Sequence, residues 1–291
     1  MKHEQEMFIL LQEWAQRDEN IRMVLLTSSR ANPHAFTDIF TDYDFEIFVE
    51  DLDAFISHDG WLDQFGSLIK KVALQDGNWR TRLVLYEDGT KIDFQISTSD
   101  HIQRLAEFTE LPAKYDNGFK VLLDKDGFAK KIPAPSYKAY ITRKPSEEIY
   151  ADSINSFWGD TAYVANSLWR DELYFAKYML DNVIRFNYLQ PAIEWYLGVK
   201  HDWSINPNKF GRWFKRYLDS ETWAELEATY AGAGIEENWE ALFRTADLFS
   251  RLAQEVGESL GYQYPIECER KMREYLLKVR NLPADAESFK A

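Results

Sequence analysis

Apolar and polar positions follow two different periods along the chain, and the change of period divides it into two parts. Near the N-terminus, residues 4–17 repeat apolar side chains at helical spacing, and residues 21–26 form an apolar run that predicts a buried strand. Residues 43–49 alternate, which predicts a second strand with two unlike faces. One face carries Phe45, Ile47 and Val49, and the other carries Asp42, Asp44 and Glu46.

A β-hairpin is indicated by the stretch "TRLVLYEDGTKIDFQIS", where Asp88-Gly89 separates two strand-like runs. Residues 52–70 predict short helical or irregular pieces, and residues 120–128 predict a closing strand and turn. The first part of the chain therefore reads as a small mixed α/β unit. On the second arm of the hairpin, Ile92, Phe94 and Ile96 share one face, and Lys91, Asp93 and Gln95 share the other.

Helical spacing dominates after a segment punctuated by Pro133, Pro135 and Pro145, which we interpret as the linker. The predicted domains are therefore residues 1–135 and 136–291, the second an all-α bundle. Its first helix is expected to begin after Ser146, a residue type that caps helices. Further helical patterns cover residues 170–184, 188–199, 209–218, 221–230, 236–256 and 267–280.

The composition excludes several classes of protein. The chain has 291 residues, 45% of them hydrophobic, so it can build a substantial core, and its net charge is −14. Both halves are acidic, which argues against a nucleic-acid partner and favours a cationic small molecule. A lone cysteine, Cys268, allows no intramolecular disulfide, and no segment has the length to cross a membrane. We therefore expect a soluble cytoplasmic protein; the sequence does not indicate its oligomeric state.

Three carboxylates are the strongest candidates for chemistry. Asp42 and Asp44 lie two residues apart on one strand, so both point to the same face and repel each other unless a cation lies between them. Mg²⁺ is typically held by one or two carboxylates together with substrate phosphates. Asp93 lies on the polar face of a later strand. If the two strands are neighbours, all three carboxylates converge on one patch.

The turn Thr27-Ser28-Ser29-Arg30 follows the first apolar strand and is a candidate phosphate site. Small residues let backbone N–H groups approach a phosphate, Ser29 adds a hydroxyl donor, and Arg30 adds a positive charge. An isolated Asp-x-Asp pair is usually a solvated face. The ordered set of strand, Ser-Ser turn, Asp-x-Asp and later Asp is more specific, and it suits phosphoryl or nucleotidyl transfer.

The same ordered set resembles the nucleotidyltransferase superfamily of DNA polymerase β type, and more closely the aminoglycoside 6-adenylyltransferases. The resemblance implies an α+β fold: an N-terminal nucleotidyltransferase domain with a mixed β-sheet flanked by helices, followed by a C-terminal all-α helical domain. It extends over nearly the whole chain. The matching stretches are "SSRAN…FTDYDFEIFV", "NWRTRLVLYEDGTKIDFQI", "KVLLDKDGF", "FWGDTAYVANSLWRDELYFAKYMLDNVIR" and "KFGRWFKRYL".

The resemblance assigns roles to the residues of the first part. Asp42 and Asp44 match the Mg²⁺-binding pair, and Asp93 matches a third carboxylate that is either a metal ligand or the base for the attacking hydroxyl. Ser29 and Arg30 match the phosphate-binding turn.

Ser28 stands where the family pattern has glycine, usually because glycine tolerates a positive φ or permits the closest approach of a phosphate. Serine is small and can donate a hydrogen bond, so we expect the turn to remain functional.

In the second part, Lys209 stands in the place of a family lysine that binds ATP phosphates, although Asn208 replaces the preceding glycine. The alternative is an exposed lysine at a helix start. Asp171 and Glu172 match the acidic groups that receive a cationic antibiotic, or else form an acidic pair at a helix N-terminus. Trp169 is a further candidate for binding the substrate, but core packing is the favoured interpretation.

The implied activity is transfer of AMP from ATP, with Mg²⁺, to a hydroxyl of an aminoglycoside, with release of pyrophosphate. Streptomycin is the implied acceptor, and its 6-hydroxyl the implied position. Two other hypotheses stay open. One is an adenylyltransferase for a different small acceptor, because fold does not determine substrate. The other is a non-catalytic nucleotide-sensing protein on the same fold.

Overall fold

Six strands form one mixed sheet in the N-terminal part of the computed structural model, which describes residues 4–289. Across the sheet the order is β3-β4-β5-β2-β1-β6. The β2–β5 pair is parallel, and the other pairs are antiparallel. The strands are β1 (Ile21–Thr27), β2 (Tyr43–Val49), β3 (Leu68–Asp76), β4 (Trp79–Tyr86), β5 (Lys91–Thr98) and β6 (Phe119–Asp124).

Both faces of this sheet are covered. The face that carries Phe45 and Phe94 packs on helices α1 (Glu4–Arg17) and α2 (Leu52–Ile56) and on a 3₁₀ segment, Gly60–Phe65. The opposite face packs on α3 (Asp100–Glu107), α4 (Ala113–Asp116) and a 3₁₀ turn, Phe128–Lys131. The alternation in β2 and β5 thus separates two cores, as expected of a sheet between two helical layers.

The predicted first helix, the first two strands and the hairpin are confirmed. The expectation for residues 52–70 is wrong at its end, because β3 begins at Leu68. This strand lies at the edge of the sheet, and Ile69 and Leu74 are exposed there. A strand that buries neither face fully shows no clear alternation in its sequence.

The C-terminal part is all helical, which confirms the predicted fold class. The chain forms two compact units, and the boundary between them lies between Tyr140 and Ile141, within the proline-rich segment. Ser146 caps the first helix by accepting a hydrogen bond from the Ile149 amide. The helices are α5 (Glu147–Trp169), α6 (Leu173–Tyr178), a π-helical stretch (Met179–Leu189), α7 (Gln190–Lys200), α8 (Phe214–Tyr217), α9 (Ser220–Ala228), α10 (Ile235–Leu260) and α11 (Ile266–Arg280).

The helix predicted over residues 209–218 is wrong. The chain forms a 3₁₀ turn at Lys209–Gly211 and then the single turn of α8, because Asn208, Phe210 and Gly211 all have positive φ. None of the helices within residues 4–289 has both the length and the apolar character that spanning a membrane requires.

Candidate active site

The parallel pairing of β2 and β5 brings the predicted carboxylates together. Asp44 is the register partner of Asp93, and Thr27 at the end of β1 is the partner of Asp44 on its other side. Asp42 precedes β2 by one residue. Its carboxylate and that of Asp93 contact one ammonium group, that of Lys91. The three acidic residues therefore lie at one end of the polar face of the sheet, as the sequence predicts.

Lys91 was not among the predicted site residues, although the alternation in β5 already placed it on the same face as Asp93. Its Nζ lies 2.6 Å from Asp42 Oδ2 and 3.4 Å from each carboxylate oxygen of Asp93. The ammonium group therefore acts as a counter-ion inside the acidic cluster.

Burial and nearby negative charge make the charged forms of Asp44 and Asp93 unfavourable. Burial, followed by the charges of Asp42 and Asp93, raises the pKa of Asp44 from 3.8 to about 7, against the opposing effects of Ser28 and Lys91. The pKa of Asp93 is also raised, mainly by burial. Its Oδ1 is buried and accepts no hydrogen bond from any described residue.

A cation would satisfy this oxygen and offset the repulsion, so the residues present fit a divalent metal ion. Within residues 4–289, no three acidic, histidine or cysteine side chains are already arranged as a metal cage.

The turn after β1 adopts the backbone conformation for which glycine is usual. Ser28 has φ +61°, and its carbonyl accepts hydrogen bonds from the amides of Ala31 and Asn32, which close a 3₁₀ turn over Ser28–Arg30. The Ser28 side chain interacts with the Asp44 carboxylate and lowers its pKa, against the larger rise caused by burial. The serine thus keeps the turn closed and adds a contact that glycine cannot make.

The Arg30 guanidinium is already bound to other groups of the protein. It donates to the carbonyl oxygens of Thr41 (2.6 Å) and Asp42 (3.1 Å) and pairs with Glu4. It also lies 4.1 Å from the centre of the Tyr43 ring, and the side chain is only 9% exposed. These contacts anchor the backbone that carries Asp42.

Further along β2 from Asp44, the polar face of the sheet is buried. Glu46, two residues after Asp44, is 0% exposed and accepts a 2.7 Å hydrogen bond from the Tyr115 hydroxyl. Its other oxygen pairs with the Lys114 ammonium, which also donates to Gln95 Oε1 at 2.7 Å. Burial raises the pKa of Glu46, and Lys114 opposes that rise. The sequence placed Glu46 on the correct face but did not show that α4 covers it.

In the helical unit, Asp171 and Glu172 form the turn between α5 and α6. Asp171 has φ +58°, and the amides of both residues donate to carbonyl oxygens near the end of α5. Both side chains are exposed, and so are Tyr174 and Tyr178 in the helix that follows. Trp169 instead packs against the helical core and donates from Nε1 to the Leu282 carbonyl at 3.2 Å, which agrees with the favoured packing interpretation.

Lys209 is exposed at the start of the 3₁₀ turn rather than at the start of a helix. The Asn208 side chain caps its amide at 2.6 Å, and its ammonium lies 5.2 Å from the centre of the Phe210 ring. Phe210 also lines a half-open aromatic pocket in the same unit. The pocket is bordered by Arg185, Phe186, Phe214, Trp223 and Tyr230, among others.

Comparisons with known proteins identify relatives over most of the chain. The family described as "Streptomycin adenylyltransferase" matches residues 1–279. An aminoglycoside 6-adenylyltransferase of Bacillus subtilis (strain 168) is 34% identical over 91% of this chain and 94% of its own length. One from Campylobacter jejuni is 33% identical over 96% of each chain. A crystal structure of an aminoglycoside 6-adenyltransferase from Bacillus subtilis aligns with 97% of this chain and 100% of its own, at 29% identity and TM-score 0.49. The chain is a nucleotidyltransferase and belongs to the streptomycin adenylyltransferase family.

Proposed function

We propose that the protein transfers AMP from ATP to a hydroxyl of an aminoglycoside, the 6-hydroxyl of streptomycin, and releases pyrophosphate. The observation that carries this proposal is the convergence of Asp42, Asp44 and Asp93 beside the Ser28–Arg30 turn. The names of the relatives support the class of acceptor.

Asp42 and Asp44 are the proposed metal carboxylates, with Asp93 as a third ligand or neighbouring base. Mg²⁺, when bound there, would offset the negative charge of the triphosphate and of the leaving pyrophosphate. Burial, followed by repulsion from Asp42 and Asp93, raises the pKa of Asp44, and a divalent cation would offset that repulsion and contact the Asp93 Oδ1 that accepts no hydrogen bond from a described residue.

Asp93 is the proposed acceptor of the proton from the attacking hydroxyl. Its side chain is 18% exposed, and burial raises its pKa. A carboxylate with a raised pKa holds an abstracted proton better than a solvated one, which favours the role of general base.

The turn at Ser28–Arg30 is proposed to face the phosphates through Ser29 and the backbone amides. Arg30 contributes indirectly in this proposal, since its guanidinium already binds the carbonyl oxygens that precede and include Asp42. Lys209 is the proposed phosphate ligand of the helical unit, on the basis of the family resemblance.

The acceptor is proposed to bind through Asp171 and Glu172. These exposed carboxylates offer ion pairs to a polycationic sugar, and the exposed tyrosines of the following helix offer ring faces. The net charge of −14 favours the approach of such a molecule.

The experiment that tests this function is release of pyrophosphate from Mg-ATP across a panel of aminoglycosides. We expect release that depends on streptomycin. Release only with another acceptor would support the second hypothesis. Binding of Mg-ATP by calorimetry without turnover on any acceptor would support a nucleotide-sensing protein.

Replacing Ser28 with glycine separates backbone strain from side-chain chemistry. A positive φ at serine costs about 1 kcal/mol, so Ser28→Gly should increase the free energy of unfolding by up to about that amount. Loss of the hydroxyl should raise the pKa of Asp44 above its value of about 7. The acid limb of the pH–rate profile should therefore move to higher pH. Ser28→Ala is the matched control, because it loses the hydroxyl but keeps the strain.

These two variants distinguish the possible roles of Ser28. The pH shift should occur in both, and the gain in stability only in Ser28→Gly. A gain in turnover of more than about tenfold in Ser28→Gly at every pH would contradict this expectation, because it would show that serine impairs the turn.

A further inference from the structure

Lys91 is placed where a cation is needed. It is the first residue of β5, and its Nζ lies 2.6 Å from Asp42 Oδ2 and 3.4 Å from both oxygens of Asp93. One ammonium group thus contacts two of the three proposed catalytic carboxylates.

The geometry of Lys91 differs from that of a permanent structural ion pair. Its side chain is 46% exposed, and that of Asp42 is 34% exposed, so the pair lies at the open end of the site. A lysine has a flexible four-carbon stem and no fixed donor plane, so its ammonium can move to a nearby position at small cost. By contrast, the Arg30 guanidinium is fixed by acceptors on the protein backbone.

We infer that Lys91 is an internal counter-ion that occupies the cation position between Asp42 and Asp93 in the metal-free enzyme and competes with the metal ion for it. The inference rests on the proposed metal role of these carboxylates. If this inference is right, Lys91 has two opposite effects. It stabilises the metal-free protein, and it weakens the affinity of the protein for metal.

The physical reason is the charge balance of the cluster. With Lys91 in place, a metal ion must displace the ammonium group from Asp42 and Asp93. It is then repelled by the positive charge of that ammonium group nearby. Without Lys91, the same carboxylates attract a divalent cation with no competitor, while the metal-free state keeps the repulsion uncompensated.

The test compares Lys91→Met and Lys91→Gln with Lys91→Arg, which keeps the charge, and with Lys70→Met, which removes an exposed lysine from β3 of the same sheet. Mn²⁺ alone is the probe, with free ion measured by electron paramagnetic resonance and no nucleotide or acceptor present. Thermal unfolding is followed in chelator and in saturating Mn²⁺.

We expect both neutral variants at Lys91 to bind Mn²⁺ about three- to thirtyfold more tightly than the unaltered protein. In chelator their unfolding midpoint should fall by about 2 to 4 °C, and saturating Mn²⁺ should remove the difference. Lys91→Arg and Lys70→Met should stay close to the unaltered protein in both measurements.

A lysine with only a structural role would lower stability without tightening metal binding. Mn²⁺ affinity that is unchanged or weaker in both neutral variants therefore overturns the inference, whatever the affinity of the unaltered protein. The proposed function is judged by turnover with acceptor, so it can fail or stand independently of this result.

Discussion

Asp44→Asn should abolish catalysis and at the same time stabilise the metal-free protein. Turnover should fall on the order of 10³-fold or more, because removing a proposed metal carboxylate removes several kcal/mol of charge stabilisation in the transition state. The free energy of unfolding in chelator should rise by about 1 to 3 kcal/mol at pH 8, after allowance for partial exposure of the group.

The pH dependence of that stabilisation follows from the direction of the pKa shift. The pKa of Asp44 is about 7 in the folded protein, against 3.8 for the ordinary group, so between these values the folded state binds more protons than the unfolded state. Stability of the unaltered metal-free protein should therefore fall as pH rises from about 4 to about 7. Asparagine has no such dependence, so the two proteins should be equally stable near pH 4.

Urea unfolding at pH 4 and pH 8, with pyrophosphate release in parallel, checks both effects. Asp76→Asn is the matched control, since Asp76 is an exposed carboxylate at the end of β3. Full turnover in Asp44→Asn would refute the assignment of this residue. Equal stability at pH 8 would show that the buried charge of Asp44 is not costly.

Lys114→Met should produce the largest loss of stability. The substitution leaves Glu46, which is 0% exposed, without the cation that pairs with it. Breaking a buried ion pair by removing one partner costs several kcal/mol, and we expect about 2 to 4 kcal/mol at pH 8 because Lys114 itself is 36% exposed.

The loss should depend on pH with a definite sign. Removing Lys114 raises the folded-state pKa of Glu46 further above its ordinary value of 4.5, so the penalty grows as pH rises through the region above 4.5. It should be small below that pH, where Glu46 is protonated in both states. Besides Lys114, Tyr115 donates to Glu46, and the Tyr115 hydroxyl is in turn contacted by His101.

The double variant Lys114→Met/Glu46→Gln tests the cause. Glutamine carries no charge and can still accept from Tyr115, so the double variant should regain most of the lost stability. If it is as unstable as Lys114→Met alone, the loss comes from packing over Trp79 rather than from the ion pair. Lys130→Met, which removes an exposed lysine of the 3₁₀ turn on the same side of the sheet, is the control.

The local patterns of the sequence predicted the elements that carry Asp42, Asp44 and Asp93, because alternation and a hairpin turn are local signals. The convergence of these residues depends on β2 and β5 being parallel neighbours, a non-local pairing that the sequence offered only as a condition. The same pairing explains why Lys91 contacts Asp42. The alternation in β5 gave the face of Lys91, but it did not show that Asp42, just before β2, lies next to it.

Other features could not be read from local patterns. Glu46 follows the same alternation as Asp44, yet its burial depends on α4, about seventy residues away in the chain. The break at residues 208–211 was not predicted because Phe210 adopts a positive φ, which is uncommon for an aromatic residue. At Ser28, by contrast, the sequence did give a signal. The family pattern has glycine at this position, which suggests a positive φ, and the structure shows one.

The central claim is that the carboxylate cluster at the end of β2 and β5 transfers AMP to an aminoglycoside. The most direct measurement is mass and nuclear magnetic resonance analysis of streptomycin after incubation with Mg-ATP and either the unaltered protein or Asp44→Asn. The account predicts one adenylyl group on the 6-hydroxyl, formed in equal amount to pyrophosphate, and no product with Asp44→Asn. Unmodified streptomycin with the unaltered protein, or equal product from both proteins, would contradict it.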